Sequence, residues 1–331
     1  MRKFLLLFLS VLLVMLCVSC KSNPKQFSAI DILLEQPNVV SVEQVRVTDY
    51  DNVDWSIYPS EYVDTVREMA DGVVDKTISY YILYMVDNVE VQAYCSLPAD
   101  YLENPRPLIL YLRGGNGDYG AINQGEVAAY SYMSDCIVLA TQYRNGFGVM
   151  MMDSEQISFD ESQDQFGGDD VQDVLFWIER AKNLSFADTE RIYLIGESRG
   201  GMELCLALRD APNGIIKAAA SVSGPYDLTQ TYNEREDMRE MLERRIGGTP
   251  ATLPDAYASR SAVTFAEKIN TPLLIIHSRG DEKVSYSQAE AFAVELENAG
   301  KAFDFWTRND KSHGINSPEE MKSIVEWLEK Q

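Results

Sequence analysis

Basic residues are scarce in this sequence. Its 331 residues include 29 Lys and Arg against 51 Asp and Glu, a formal net charge of −22. A field of this sign repels nucleic-acid phosphates and anionic lipid headgroups, which argues against nucleic-acid binding and electrostatic membrane adsorption. Internal repeats and low-complexity tracts are also lacking, and 46% hydrophobic residues fit an ordinary globular protein. We therefore expect one globular domain, with any membrane attachment through an apolar or covalent anchor.

Long apolar runs are few, and the longest covers only residues 4–18. A helix needs about 20 apolar residues to span a bilayer, and this run is shorter. Because it also follows a basic N-terminus, it predicts a signal peptide. Its end at Cys20 resembles a bacterial lipobox, although Cys17 stands where that motif usually has Leu. We predict a lipoprotein signal over residues 1–19, a lipid on Cys20, and a location in the bacterial cell envelope, facing the periplasm or the cell surface.

Beyond the N-terminal segment, metal-type cysteine pairs such as C-x-x-C are lacking too. Beyond the N-terminal segment the cysteines are Cys95, Cys136 and Cys205, an odd number on segments that resemble two strands and a helix. The pattern favours buried free thiols. One disulfide among the three remains open, because an oxidising periplasm permits it.

Short apolar runs that alternate with helical patterns predict an α/β fold. Residues 77–97 contain two β-rich runs around Asp87-Asn88, a hairpin signal. Six further strands are predicted over residues 107–112, 136–143, 191–196, 216–223, 272–278 and 302–307. Strands that are apolar on both faces indicate a mostly parallel sheet with helices on both faces.

Apolar spacing of three to four residues predicts the helices between these strands. They cover residues 170–184, 199–210, 286–299 and 317–330. Residues 228–270 interrupt this alternation and are predicted to form a lid insertion. We divide the remainder into a linker and N-terminal extension, residues 20–75, for which no structure is assigned, and a catalytic domain, residues 76–331.

The strongest chemical signal is a G-x-S-x-G motif with Ser198 at its centre. It follows an apolar strand directly and opens a helix, in the run Gly196-Glu197-Ser198-Arg199-Gly200-Gly201. Such a tight turn exposes the serine hydroxyl, and the helix N-terminus favours the negative charge that develops in acyl transfer. Ser198 is the predicted nucleophile.

A serine nucleophile needs a base, usually an imidazole that a carboxylate orients. The chain has two histidines. His313 lies in a polar loop after the last predicted strand, and Asp281 precedes it, so that the order Ser198, Asp281, His313 is the one typical of α/β-hydrolases. We assign His313 as the base and Asp281 as its acid. His277 is interpreted as a hydrogen-bonded residue at the edge of the sheet.

Two backbone amides must stabilise the oxyanion. The amide of Arg199 is one candidate, and Gly115 is the preferred second, with Gly114 and Asn116 as alternatives. Residues 115–120 also match G-x-G-x-x-G, the dinucleotide motif. We reject that interpretation, because the following residues are a poor helix start and Asp135 precedes the next strand instead of ending it.

The chain resembles the catalytic domain of the prolyl oligopeptidase family of serine peptidases. The matching segments are residues 110–117, 142–148, 167–174, 191–201, 271–284 and 312–314, in the expected order. The resemblance implies an α/β-hydrolase fold, a covalent acyl-enzyme, and no metal or organic cofactor. Members usually also carry a β-propeller, for which these residues leave no room, and Arg113 stands where many relatives have His or Tyr.

Three functions fit this pattern. The preferred one is a prolyl oligopeptidase-type peptidase that acts on small peptides. A carboxylesterase, for example an acetyl or feruloyl esterase, uses the same triad and remains the alternative. A lipid-anchored binding protein without catalysis is the third, and the presence of Ser198, Asp281 and His313 argues against it.

Overall fold

The computed structural model describes residues 28–45, 73–74, 76–115, 122, 124–144, 148–149, 156–157 and 164–331. The predicted signal segment with Cys20, and the oxyanion alternative Asn116, lie outside the described residues. Eleven strands occur in the described part: β1 (Val39–Val45), β2 (Thr77–Val86), β3 (Val89–Pro98), β4 (Pro107–Leu112), β5 (Ile137–Thr141), β6 (Gly148–Val149), β7 (Gln156–Ile157), β8 (Asp188–Glu197), β9 (Ala218–Val222), β10 (Leu273–Ser278) and β11 (Phe303–Arg308).

Nine of these strands form one mixed sheet in the order β1-β2-β3-β5-β4-β8-β9-β10-β11. Pairing is antiparallel from β1 to β5 and parallel from β5 to β11. The predicted hairpin is confirmed as β2 and β3, joined by Asp87 (φ 51°) and Asn88 (φ 64°). Left-handed conformations at both positions are what a two-residue hairpin turn requires. Strand β1 extends the sheet to residues before the predicted domain boundary at 76.

Nine α-helices occur in the described residues: α1 (Ala29–Leu34), α2 (Gln124–Ser134), α3 (Val171–Arg180), α4 (Arg199–Asp210), α5 (Leu228–Glu234), α6 (Arg239–Ile246), α7 (Pro254–Ala258), α8 (Tyr286–Asn298) and α9 (Pro318–Leu328). Helices α1, α3, α4 and α8 pack on one face, and α2 and α9 on the other. This arrangement confirms the predicted α/β class, and the described residues contain no β-propeller. No helix in this part of the chain is long and apolar enough to span a bilayer.

Helix α2 corrects one expectation, because the sequence after the G-x-G-x-x-G match predicts a poor helix start, whereas a helix covers Gln124–Ser134. Its buried stripe has regular helical spacing but consists largely of small or polar residues: Gln124, Val127, Ala128, Ser131 and Ser134. Such a stripe gives little hydrophobic periodicity, so the sequence pattern does not predict the helix, and its contacts with the sheet stabilise it. The other objection to the dinucleotide interpretation stands, since Asp135 precedes β5.

The cysteines lie in the core. Cys95, Cys136 and Cys205 are free and buried, as the sequence pattern favours, and no disulfide joins any two of these three cysteines. Burial raises the pKa of the Cys136 thiol to about 12 and raises those of Cys95 and Cys205 as well. All three thiols are therefore protonated and unreactive at neutral pH.

The parallel half of the sheet determines where the candidate site forms. Gly114 follows β4, Ser198 follows β8, Asp281 follows β10 and His313 follows β11. Because these strands are parallel, their carboxyl ends lie along one edge, and the residues that follow them meet there.

Candidate active site

Ser198 sits on a sharp turn between β8 and α4. Its backbone has φ 53° and ψ −122°, a conformation that costs free energy for a residue with a side chain. The Ser198 amide donates to the Val222 carbonyl at 2.9 Å, and the Ser198 carbonyl accepts from the Gly201 amide at 2.8 Å. These bonds hold the strained residue in place, as a nucleophile turn requires.

Glycine is required around this turn because backbones approach one another closely. A Cβ on Gly200 would overlap the carbonyl of Leu112 at the end of β4, and a Cβ on Gly196 would overlap the carbonyl of Gly200. A Cβ on Gly114 would lie 3.2 Å from Ser198 Cβ. The loop after β4 therefore passes directly beside the serine.

Asp281 and His313 form a hydrogen-bonded pair. His313 Nδ1 lies 2.8 Å from Asp281 Oδ2, while Asp281 Oδ1 accepts the amides of Lys283 at 2.9 Å and Val284 at 3.1 Å. Burial is the largest influence on the pKa of Asp281 and raises it, but the bonds from His313 and Val284 outweigh it and lower the pKa overall. An ionised carboxylate only accepts, so Nδ1 carries the proton and Nε2 is left as an acceptor.

His277, the second histidine, has a different environment. It is the next-to-last residue of β10, which lies between β9 and β11, and it is 0% exposed. Its Nε2 donates to the Val284 carbonyl at 3.0 Å and lies 3.5 Å from Asp281 Oδ2. Burial lowers the pKa of His277. It is a neutral, hydrogen-bonded residue inside the sheet that supports the Asp281 loop from behind.

An open cavity of about 350 Å³ lies at this edge of the sheet, and Ser198, Arg199, His313, Gly114 and Gly115 all line it. The cavity thus collects the predicted nucleophile, the predicted base and the candidate oxyanion donors. Among the described residues, no hydrogen bond joins Ser198 Oγ to His313. Residues of the insertion, Thr231, Arg235 and Met238, form part of its wall.

The side chain of Arg113 fixes the loop that carries Gly115, the predicted second oxyanion donor. It is 4% exposed, and it donates to the Gln142 carbonyl through Nε at 3.1 Å and to the Gly114 carbonyl through Nη1 at 2.8 Å. Burial, with a further contribution from nearby Arg199, lowers the pKa of Arg113 to about 10. Gly115 follows with φ 93°, a left-handed conformation that glycine adopts readily.

The side chain of Arg199 has a role that the motif did not reveal. It is 2% exposed and lies in a cluster of buried charges. It donates to Asp164 at 2.8 Å, to Asp170 at 2.6 Å and to Glu203 at 3.1 Å, and Arg245 lies 3.7 Å from Asp164. The cluster ties the nucleophile helix to residues 164–170 and to α6 of the insertion.

We expect Arg199→Leu to lower the free energy of unfolding by about 3–5 kcal/mol, because it leaves three buried carboxylates without their main cation. Urea unfolding followed by circular dichroism measures the loss. Arg209→Leu is the matched control on the same helix, where the contacts of Arg209 with Asp210, the Ser259 carbonyl and the Phe265 ring are partly exposed and their loss costs about 1 kcal/mol. Equal losses in the two variants would contradict a stabilising role for the buried cluster.

Glu197, between Gly196 and Ser198, is the other residue that sequence reasoning missed. Its Oε1 accepts the hydroxyls of Tyr111 and Tyr130, the latter at 3.1 Å, and its Oε2 accepts the Ile315 amide at 2.6 Å. Burial raises the pKa of Glu197, although these bonds oppose the increase. The G-x-S-x-G motif leaves position 197 undefined, and Tyr130 lies on α2, which the apolar pattern does not predict, so no sequence signal points to this cluster.

Comparisons with known proteins agree with this geometry. A profile of the prolyl oligopeptidase family matches residues 158–331. The uncharacterized peptidase YtmA of Bacillus subtilis is 28% identical over 249 residues, 75% of this chain and 91% of that protein. Dipeptidyl-peptidase 5 of Porphyromonas gingivalis is 25% identical over a match that covers 71% of this chain and 35% of the length of that protein. Among solved structures, acylaminoacyl peptidase of Pyrococcus horikoshii superposes with a TM-score of 0.59 at 23% identity, over 76% of this chain and 40% of its own.

The chain thus spans most of YtmA, but only about a third of the dipeptidyl-peptidase and two fifths of the acylaminoacyl peptidase. The structural likeness confirms the α/β-hydrolase fold. The family profile covers more than half of the chain and includes the segments with Ser198, Asp281 and His313. This protein is therefore a serine hydrolase, and it belongs to the prolyl oligopeptidase family.

Proposed function

We propose that the protein is a peptidase that cleaves small peptides through an acyl-enzyme on Ser198, with His313 as general base and Asp281 as its orienting acid. The observation that carries the proposal is the Asp281–His313 hydrogen bond of 2.8 Å at the rim of the cavity that holds the strained Ser198 turn. A base with a fixed tautomer and an exposed nucleophile are the two elements that this chemistry needs.

The reaction begins when Ser198 Oγ attacks the scissile carbonyl carbon and passes its proton to His313 Nε2. The amides of Arg199 and Gly115 donate to the oxygen that becomes negative. The C–N bond then breaks, His313 returns the proton to the departing amine, and the acyl group remains on Ser198. In the second half of the reaction, His313 takes a proton from a water molecule that attacks the acyl carbonyl carbon. The ester bond to Ser198 Oγ then breaks, His313 returns the proton to Oγ, and the acyl group leaves as a carboxylic acid. The hydrogen bond between Ser198 Oγ and His313 Nε2 forms when substrate binds, because such bonds are often long in the free enzyme and shorten in the substrate complex.

The dimensions of the cavity support a small substrate. About 350 Å³ is at the lower end of the range for small-molecule sites. The insertion contributes Thr231, Arg235 and Met238 to the wall, so its side chains are placed to select the residues next to the scissile bond. The names of the relatives, a peptidase, a dipeptidyl-peptidase and an acylaminoacyl peptidase, support amide cleavage.

We also propose that the protein is a lipoprotein of the bacterial cell envelope, anchored through Cys20. The support is in the sequence alone: a basic start, an apolar run over residues 4–18 and the motif that ends at Cys20. If the proposal is correct, metabolic labelling with a fatty acid adds the mass of the lipid at Cys20. Globomycin, which inhibits removal of the signal peptide, leaves residues 1–19 attached to the protein. Unmodified Cys20 in the mature protein would refute it.

Matched amide and ester substrates test the peptidase proposal. The full-length protein is assayed with 4-nitroanilides and 4-nitrophenyl esters that carry the same acyl group: acetyl, aminoacyl, N-acylaminoacyl or dipeptidyl. We expect cleavage of the anilides of one or two residues, and slower cleavage of longer peptides, because the cavity is small. Cleavage of the esters alone would contradict the peptidase proposal and support a carboxylesterase.

A further inference from the structure

We propose that Glu197 is a positioning residue for this reaction, in that its carboxylate ties the His313 loop to the Ser198 turn and its negative charge stabilises the protonated His313 imidazole. The inference rests on the proposed function, since it requires His313 to be the base. It adds a second anion to the one that Asp281 supplies.

The carboxylate of Glu197 joins segments that are distant in sequence. Glu197 directly precedes Ser198, and its Oε2 accepts the amide of Ile315, two residues after His313, at 2.6 Å. Its Oε1 accepts the hydroxyl of Tyr111 in β4, the strand that leads into the oxyanion loop. One side chain therefore contacts the segments that carry the nucleophile, the base and the second oxyanion donor.

The His313 loop is shaped to fit this carboxylate. Gly314 has φ 93°, and a Cβ there would lie only 2.5 Å from Glu197 Oε2. On the other side, Arg308 Nη1 donates to the Gly314 carbonyl at 2.8 Å. The loop is thus held between Arg308 and Glu197, and a side chain at position 314 would push it away from the carboxylate.

Charge is the second part of the role. When His313 takes the serine proton it becomes a cation, and an anion held in a partly buried site stabilises that cation more than an exposed one does. The other titratable or charged groups that face Glu197 and the His313 loop are Tyr111, Tyr130, Asp281, His277, Arg308, Asp310, Glu320 and, around the cavity, Arg113, Glu126, Arg199, Arg235 and Lys283. Glu320 accepts the Asn316 amide but is paired with Arg308 at 3.0 Å, and Asp310, which accepts the Ser312 amide, is exposed. Asp281 and Glu197 are the shielded carboxylates that accept hydrogen bonds from the His313 loop and have no Arg or Lys partner among the described residues.

Glu197→Gln removes the charge and keeps the shape, with an amide oxygen that still accepts hydrogen bonds. The measurement is kcat/KM against pH for the full-length protein on its best substrate. We expect the acid limb of this profile, the part in which kcat/KM rises with pH, to move to lower pH by about 0.5 unit or more, because loss of the Glu197 charge disfavours the protonated His313 imidazole. We expect kcat/KM near pH 7 to fall about tenfold, because His313 becomes a weaker base. Glu282→Gln is the control: Glu282 follows Asp281 but is exposed and paired with Lys311, and its loss leaves the limb in place.

A purely structural role predicts a different result, namely a rate that falls by the same factor at every pH. An acid limb at its wild-type position in Glu197→Gln therefore overturns the inference, even if the melting temperature falls. Glu197→Asp keeps the charge but shortens the reach to Ile315, and we expect a lower kcat with little movement of the limb. If Glu197→Gln does not fold, wild-type kcat in Glu197→Asp overturns the positioning role.

Ser198→Ala, assayed in parallel, separates this inference from the proposed function. Activity that persists in Ser198→Ala refutes the proposed function. An inactive Ser198→Ala together with an unmoved limb in Glu197→Gln refutes only the role of Glu197.

Discussion

Ser198→Ala is expected to abolish hydrolysis of every substrate that the wild-type protein cleaves, with kcat/KM reduced about 10⁴-fold or more. The change removes the atom that forms the acyl bond and leaves the base, its acid and the oxyanion donors in place. Stability should be unchanged. Alanine bears the same conformational cost as serine at φ 53°, and the bonds that hold the turn come from the Ser198 backbone.

Initial rates and thermal melting of the full-length protein measure the two parts of this expectation. An active-site phosphonofluoridate adds a direct test, because it should modify wild-type protein at Ser198 and fail to modify the variant. Ser323→Ala, an exposed serine on α9, serves as the control and should behave as wild type. Substantial activity in a folded Ser198→Ala protein would show that another group is the nucleophile.

The sequence allows the site to be located because of two regularities. Strands β4, β8, β9, β10 and β11 are short apolar runs that the pattern reveals directly, and parallel strands bring their carboxyl ends to one edge. The turn at Ser198 is defined by neighbours within two positions, where glycine is required by close contact. Chain order then leaves one sensible pairing of Asp281 with His313, and the structure shows that pair hydrogen-bonded.

What could not be predicted depends on contacts between distant segments. Helix α2 is stabilised by burial of small polar residues on the sheet, which gives no hydrophobic signal. The bond from the Ile315 amide to Glu197 joins residues 118 positions apart, and the Arg199–Asp164 pair joins residues 35 apart. In each case the residue type is compatible with an exposed side chain, and only the folded arrangement makes it a buried partner.

The two histidines allow the strongest test of how the base is assigned. Both lie near Asp281 Oδ2, His313 Nδ1 at 2.8 Å and His277 Nε2 at 3.5 Å. His313 lines the cavity with its side chain 15% exposed, whereas His277 has no exposed surface. We therefore expect His313→Gln to lower kcat/KM about 10⁴-fold with little change in melting temperature, since glutamine cannot take up a proton.

His277→Gln is the matched variant, because a glutamine amide can donate to the Val284 carbonyl as the imidazole does. We expect it to lower the melting temperature, since the site is fully buried and the fit is imperfect, and to change kcat/KM less than about tenfold. The opposite result, activity lost with His277 and kept without His313, would make His277 the base. That outcome would require a base with no access to the cavity, which is why we propose that Asp281 orients His313, and not His277, toward Ser198.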